Sequence, residues 1–198
     1  MSELFSIQLQ NRQQQGRDGV WLDLPTTTEQ VQAALRQIGI SSDNPQGLFI
    51  SGYFAEEEKR FAISYNMVLA SNVDELNFLA SRLETLSTGE RAELNAALQA
   101  PQSELFSIGR ITDFPENVDY YVHLPDVHGP AQLGDYYLNR SGMVDMPEEW
   151  KGGIDTAQFG RYVAQQEQGA FTQYGYLVKS GDEWQKVHEG QPVPEEYR

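Results

Sequence analysis

The sequence predicts an α+β fold made of three small successive units. Segments with alternating apolar and polar residues, typical of strands, lie near both ends of the chain, and apolar residues at helical spacing fill its middle. A chain of 198 residues is long enough for one or two ordinary domains or for three very small ones. We predict a mixed sheet with one helix in residues 1–62, a helical hairpin in 63–102, and an α/β domain in 103–198.

The first unit is predicted to contain three strands and one helix. Alternation indicates a strand over residues 4–9, and a second strand over 20–24 ends at a proline. Apolar residues at helical spacing start at Val31, with threonines before them as N-cap candidates and Gly39 after them. Residues 48–53 have the composition of a third strand.

Two helices are predicted next. Asn72 and Glu75 have the spacing of a capping box, with Asn in place of the usual Ser or Thr. Ser87 and Glu90 repeat the pattern before a second helix that ends at Pro101. Each helix carries few apolar residues, so the pair needs another part of the protein to pack against.

The third unit is predicted to mix short helices with strands. Helices are predicted over residues 103–108, where one turn fits, over 131–139, after Pro147 and after Asp155. Strands are predicted over residues 118–124, 170–178 and 184–187. Residues 190–198 contain two prolines and are predicted to form a tail, whose role the sequence leaves open.

The composition is strongly acidic and excludes several classes of function. The chain has 14 Lys and Arg against 29 Asp and Glu, a formal charge of −15. This argues against binding nucleic acid or anionic lipid, since both need clustered basic residues. The absence of cysteine excludes disulfides, thiol nucleophiles and Cys-based metal sites. No apolar run is long enough to span a membrane, and the first residues lack a signal-peptide pattern, so we expect a cytoplasmic protein.

Acidic residues are concentrated in the middle of the chain. Residues 61–158 hold 15 acids and 5 bases, a net charge of −10. One interpretation is a solvated face that promotes solubility. The other is a surface for a basic partner. Acids that recur every 3 to 9 residues from Asp113 to Asp135 are compatible with an extended polyanion, since DNA carries one charge per about 1.7 Å of its axis.

The sequence lacks the common catalytic motifs. It contains no GxSxG, no HExxH, no P-loop and no glycine-rich dinucleotide-binding motif. His123 and His128, with Asp126 between them, are the one candidate metal or acid–base group, but their spacing places them on no obvious shared face. The many aromatic residues of 120–177 are interpreted mainly as core, with a few at an interface. We therefore predict a protein that is not an enzyme and needs neither a metal nor a cofactor.

Several short segments follow one another in an order that is more specific than any of them alone. They are residues 19–25 (GVWLDLP), 74–79 (DELNFL), 121–127 with 133–137 (LGDYY), 142–147, 154–155 with 159–161 (FGR), and 169–178. This ordered set, which spans about residues 4–178, resembles the motifs of the ArdA antirestriction family. The chain departs from the family pattern in a longer polar loop at residues 10–17 and in residues 179–198, which have no counterpart.

The resemblance implies a fold and a function. ArdA proteins are carried by plasmids, conjugative transposons and phages. They are elongated, acidic dimers of three small domains in line, and they imitate a bent stretch of B-form DNA. They occupy the DNA-binding groove of type I restriction–modification enzymes and so protect incoming DNA. For this chain the resemblance implies two partners, the methyltransferase core of such an enzyme and a second copy of itself.

The resemblance also implies site residues. The family's dimer contact and antirestriction motif map to residues 133–147. The candidate dimer residues carried over are Leu133, Tyr136, Tyr137, Met143 and Val144. The acids chosen by their location as phosphate mimics are Asp113, Glu116, Asp119, Asp126, Asp135, Asp145, Glu148, Glu149 and Asp155.

Three alternatives stay open at the level of sequence. The same fold can bind another protein with a basic DNA groove, such as a nucleoid protein or a CRISPR effector. A metal enzyme that uses His123, Asp126 and His128 is a second alternative. The third is a structural oligomer whose partner binding does not depend on its acids.

Overall fold

Packing divides the protein into two compact units. The computed structural model describes residues 3–14, 18–41 and 46–198. The first unit is formed by Met1–Ser87, Leu105–Glu116 and Gln185–Arg198, and the second by Thr88–Glu104 and Asn117–Trp184. Each unit contains helices and an antiparallel sheet, so the predicted α+β class is confirmed. The division into three domains at residues 62 and 102 stays a prediction.

The first unit contains a three-stranded antiparallel sheet in the order β2–β1–β3. The strands are β1 (Phe5–Asn11), β2 (Val20–Leu24) and β3 (Leu48–Phe54). Along β1, buried residues alternate with half-buried ones, as expected of a central strand with one face on the core. Ile7 on that buried face pairs with Leu22 on one side and with Tyr53 on the other.

The helices of the first unit are α1 (Thr28–Gln37), α2 (Tyr65–Leu69), α3 (Val73–Glu84) and α5 (Ile108–Thr112). Three of these four helices, α1, α3 and α5, begin at a side-chain cap. The side chain of Asn72 accepts a hydrogen bond from the Glu75 amide, which confirms the predicted cap of α3. The predicted helical turn over residues 103–108 is wrong. Ser107 accepts from the Arg110 amide and so places the start of α5 at Ile108.

A buried asparagine connects α3 to the end of β2. Asn77 Oδ1 accepts from the Thr26 amide at 2.7 Å, and its Nδ2 donates to the Thr26 carbonyl at 3.1 Å. The asparagine side chain thus pairs with both polar groups of a backbone segment that has left the sheet. Buried backbone groups without a partner are costly, which explains an asparagine at this position of the 74–79 motif.

The second unit packs helices against a sheet in the order β4–β6–β5. Its helices are α4 (Thr88–Gln99), α6 (Pro130–Asp135), α7 (Glu148–Lys151) and α8 (Thr156–Glu167), and residues 136–140 continue α6 as a π-helical turn. Its strands are β4 (Tyr121–Leu124), β5 (Ala170–Thr172) and β6 (Gly175–Lys179). Val127, Leu133 and Tyr176 form the buried centre of this unit. No helix within the described ranges has the length and apolar character to cross a membrane.

The last part of the chain differs from the prediction in three places. The single strand predicted over 170–178 is a hairpin, because Gly175 adopts a φ of +119° and turns the chain back. The strand predicted over 184–187 is not formed, since these residues leave the sheet. The predicted tail, 190–198, packs on α3 and includes a 3-10 turn at Glu195–Tyr197.

Helices α6 and α8 pack with their backbones in near contact. A Cβ atom at Gly134 would lie 1.9 Å from the carbonyl oxygen of Thr156, and one at Gly160 would lie 1.8 Å from that of Pro130. Both distances are far below van der Waals contact, so glycine alone fits at either position without moving a helix. Two glycines therefore set the distance between these helices.

We expect Gly134→Ala and Gly160→Ala each to destabilise the second unit by about 1–3 kcal/mol or more, because the added methyl group has to push the helices apart. Urea denaturation measures the change. Gly152→Ala is the matched control, since no atom lies within 4 Å of its Cβ position and its φ is −63°. Equal stability of all three variants would contradict the packing argument.

Helix α4 carries a carboxyl group that is largely buried. The Oε1 atom of Glu93 has no hydrogen-bond partner among the described residues. Burial, followed by the charges of Glu90 and Asp119, raises the pKa of Glu93 from 4.5 to about 8. The folded protein thus holds a proton that the unfolded chain releases above pH 4.5. The free energy of unfolding therefore falls as the pH rises from 4.5 to about 8.

Glu93→Gln is expected to remove this loss of stability. The variant should exceed the unaltered protein in free energy of unfolding by an amount that grows from pH 5 to pH 8, because glutamine has no charge to bury. Urea denaturation at several pH values tests this. Glu58→Gln, which removes one exposed charge, controls for the general effect of net charge. Parallel pH profiles of Glu93→Gln and the unaltered protein would contradict the expectation.

Candidate partner-binding surface

Most of the acids predicted from the sequence lie on the surface of the second unit. Six of the nine are exposed there: Asp119, Asp126, Asp145, Glu148, Glu149 and Asp155. Asp135 belongs to the same unit and is half-buried. Glu116 is exposed but belongs to the first unit, where it forms an ion pair with Arg82.

Some of these carboxylates are partly neutralised by neighbours. Glu148 lies 2.6 Å from the Lys151 amine, and Asp135 lies 3.2 Å from the Arg140 guanidinium. The side chain of Asp155 accepts a hydrogen bond from the Gln158 amide at 2.9 Å. Asp155 thus caps α8, in agreement with its predicted position before a helix.

Four carboxylates remain without such a neighbour. Asp119, Asp126, Asp145 and Glu149 are exposed, and none forms an ion pair with any residue in the described part of the chain. We call these four residues the open acids. They give the second unit negative charge that internal pairing does not cancel.

Asp113 does not lie on the surface. Its exposed fraction is 0%, and its carboxylate accepts hydrogen bonds from the backbone amides of Val187, His188 and Glu189. The sequence places Asp113 in an acidic segment but gives no sign of this distant amide cluster. Because the carboxylate is used inside the first unit, we leave Asp113 out of the surface set.

The predicted dimer residues occupy different environments. Leu133 is fully buried in the centre of the second unit, and Tyr136 and Tyr137 pack against that centre. Met143 is 75% exposed, and Val144 is half-buried. Trp150 of α7, which the sequence analysis did not select, is 67% exposed. The sequence signal that could have identified Trp150 as a surface residue is its place among charged residues, between Glu149 and Lys151.

Glu167 joins two tyrosines that belong to separate sequence motifs. Tyr137 donates a hydrogen bond to Glu167 Oε1, and Tyr176 donates to Oε2 at 3.0 Å. Burial, together with the charge and hydrogen bond of Glu167, raises the pKa of both tyrosines, so their hydroxyls stay protonated as donors. Sequence reasoning missed Glu167 because nothing local marks it as the shared acceptor.

The glycines of the closing motif serve the same framework. A Cβ at Gly169 would lie 1.9 Å from the Tyr176 hydroxyl, and one at Gly175 would lie 2.4 Å from the Leu124 carbonyl oxygen. Gly169 therefore makes room for the Tyr176 ring that reaches Glu167, and Gly175 lets the hairpin turn pass close to the backbone of Leu124. The open acids take no part in these contacts.

The histidines do not form a recognisable catalytic group. His123 Nε2 lies 2.7 Å from the carbonyl oxygen of Tyr174, and His128 is exposed. Within the described ranges, no three His, Asp or Glu side chains are placed to hold a metal ion together. The arrangement offers exposed negative charge on a packed framework, which suits attraction of cationic side chains.

A comparison of the amino-acid sequence with models of protein families finds a match. The model described as Antirestriction protein (ArdA) matches residues 15–178. A comparison with curated proteins finds no match. The matched range contains the Asn77 contact, both interhelical glycines and the Glu167 network, and it ends just before the segment that folds back on the first unit. The chain belongs to the ArdA family, a family of antirestriction proteins.

Proposed function

We propose that this protein protects incoming mobile DNA by mimicking B-form DNA in the DNA-binding groove of a type I restriction–modification enzyme. The observation that carries the proposal is the set of open acids on the second unit of an ArdA-family chain. A DNA groove holds Lys and Arg in positions suited to phosphates. Exposed carboxylates neutralise the same cations and release their counterions, as DNA does.

The charge balance of the second unit supports this proposal. Its residues include 13 acids and 5 bases. Among the bases, Arg140, Lys151 and Lys179 already pair with carboxylates of the same unit. The remaining negative charge is available to a partner, and like-charged surfaces such as DNA itself are repelled.

Rigidity of the framework is the second supporting feature. The near contact of α6 with α8 and the tyrosine pair on Glu167 restrict how this unit can deform. A surface that is ordered before binding loses little entropy on binding. Many modest charge contacts then sum to a useful affinity, and no single carboxylate is expected to dominate.

We further propose that the protein acts in the cytoplasm as a homodimer of three-domain subunits. Met143 and Trp150 are the candidate contacts for this dimer, since they are 75% and 67% exposed and an interface would remove their apolar area from water. A dimer doubles the length of the mimic, and binding of one half raises the effective concentration of the other.

The mimicry proposal predicts salt-dependent competition with DNA. A type I methyltransferase core is held on labelled cognate duplex, and the protein is added at low and at higher salt. Displacement should be strong at low salt and should fade as salt screens the carboxylates. Absence of displacement at either salt would contradict the proposed target.

Neutralisation of the open acids should weaken this competition by about tenfold or more, because each charge contact contributes a few tenths to 1 kcal/mol. The variant combines Asp119→Asn, Asp126→Asn, Asp145→Asn and Glu149→Gln. The matched control removes the same charge from exposed sites of the first unit, through Glu57→Gln, Glu58→Gln, Glu195→Gln and Glu196→Gln. An equal loss in both variants would show that net charge alone acts.

The dimer proposal predicts that Met143→Ser combined with Trp150→Ser shifts the protein towards monomers, because the interface loses apolar area. Light scattering coupled to gel filtration measures the mass at matched concentrations. Phe106→Ser is the control, since Phe106 is also 67% exposed but lies in the first unit. An unchanged mass of the double variant would remove these residues from the interface.

A further inference from the structure

Residues 185–198, which we call the strap, lie beyond the range matched by the family model and fold onto the first unit. The strap contains little regular structure apart from the turn at Glu195–Tyr197. Its conformation therefore depends on contacts with other elements. Those contacts are concentrated at its two ends.

The first end of the strap is held by the buried carboxylate of Asp113 and by an ion pair in which Glu189 Oε2 lies 4.0 Å from the Arg110 guanidinium. Asp113 Oδ1 accepts the amide of His188 at 2.6 Å, and Oδ2 accepts those of Val187 and Glu189 at 3.3 and 3.1 Å. Three consecutive amides thus converge on one side chain that is 0% exposed. Hydrogen bonds to a charged group are the stronger ones, and loss of the acceptor leaves all three donors to seek another partner.

The second end is held by α3 and by the start of α1. The ring of Phe78 in α3 has its centroid 5.0 Å from that of Tyr197, and Phe78 also contacts the first end of the strap, where the His188 ring lies 5.0 Å away. Thr28 Oγ1 donates to the Arg198 carbonyl oxygen at 2.9 Å. Phe78 is 7% exposed in this arrangement, so the strap supplies part of its cover.

The strap lies close to α5 at one point but leaves a cavity between itself, α3 and α5 further along. A Cβ at Gly109 would lie 3.3 Å from Glu189 Cα, so the two backbones approach closely there. Further along, a cavity of about 310 Å³ separates Phe78 and Ile108 from Pro192 and neighbouring strap residues. The middle of the strap is therefore less tightly packed than its ends.

We propose that the strap is a separable closing element of the first unit and that Asp113 is the positioning residue that keeps it closed. In the closed state it covers Phe78 and the groove beside Ile108. When Asp113 no longer binds the three amides, the strap detaches while the rest of the unit stays folded. This role is separate from the acidic surface and does not depend on the antirestriction activity.

Limited trypsin digestion of the full chain tests the proposal. The Lys186–Val187 bond directly precedes the three bound amides, and the Lys186 side chain is 64% exposed. A protease needs several residues around the bond to adopt an open, extended conformation, so cleavage reports opening of the strap. Mass spectrometry measures the rate at which the peptide 187–198 is released.

Asp113→Ala should release this peptide at least about tenfold faster than the unaltered protein, because hydrogen bonds to a charged acceptor are lost. Asp18→Ala, an exchange at an exposed acid of the same unit, should leave the rate unchanged. Amide hydrogen exchange provides a second readout. Residues 187–189 should lose protection in Asp113→Ala, whereas the amides of β1 should keep theirs.

His188→Pro keeps the test decisive if Asp113→Ala unfolds the whole unit. It removes the shortest of the three hydrogen bonds from the strap side and leaves the buried carboxylate in place. His188→Ala, which loses the same ring contact with Phe78 but keeps the amide, is the reference against which its rate of release is compared. Faster release of 187–198 without cleavage after Arg82 in α3 supports the proposal. Unchanged release in His188→Pro, or cleavage after Arg82 as fast as after Lys186, would overturn it.

Discussion

The near contact of α6 with α8 is the constraint on which the second unit depends. With glycine at 134 and 160, the helix backbones come close enough for Leu133 to fill the centre of the unit and for Tyr137 to reach Glu167. Glu167 in turn accepts from Tyr176, so the sheet and both helices meet at one carboxylate. A larger residue at either glycine would push α6 away from α8 and so disturb the contact between Tyr137 and Glu167.

The family motifs contain both packing residues and acids proposed to bind a partner, since Asp126, Asp135, Asp145 and Asp155 lie within them. Glycines, tyrosines and Asn77 have packing roles that no other residue type fulfils in the same space. A surface carboxylate has no such restriction. Its contribution depends on charge and approximate position, so a neighbouring acid can replace it. The packing residues of the motifs thus account for the framework, and the proposed partner-binding surface consists of acids that the framework leaves exposed.

Local signals in the sequence predicted local structure well. The caps at Asn72 and Asp155 lie where expected, and Gly39, predicted to follow the first helix, has the positive φ of such a residue. Errors arose where distant contacts decide. The aromatic segment 170–178 has strand composition throughout, and only the turn geometry at Gly175 divides it. Burial of Asp113 depends on amides more than 70 residues away, which no spacing rule connects to it.

The burial of Glu93 also affects how the charge of this protein should be counted. A formal charge of −15 assigns a full negative charge to every carboxyl group. A group with a pKa of about 8 is mostly protonated at neutral pH. The carboxylate of Asp113 is buried, where it accepts hydrogen bonds from three backbone amides and does not face the solvent. The field that an approaching molecule experiences is therefore weaker than the sequence suggests and is concentrated where carboxylates face water. Electrophoretic mobility at neutral pH reports that smaller effective charge, and alkaline solution increases it without any change in sequence.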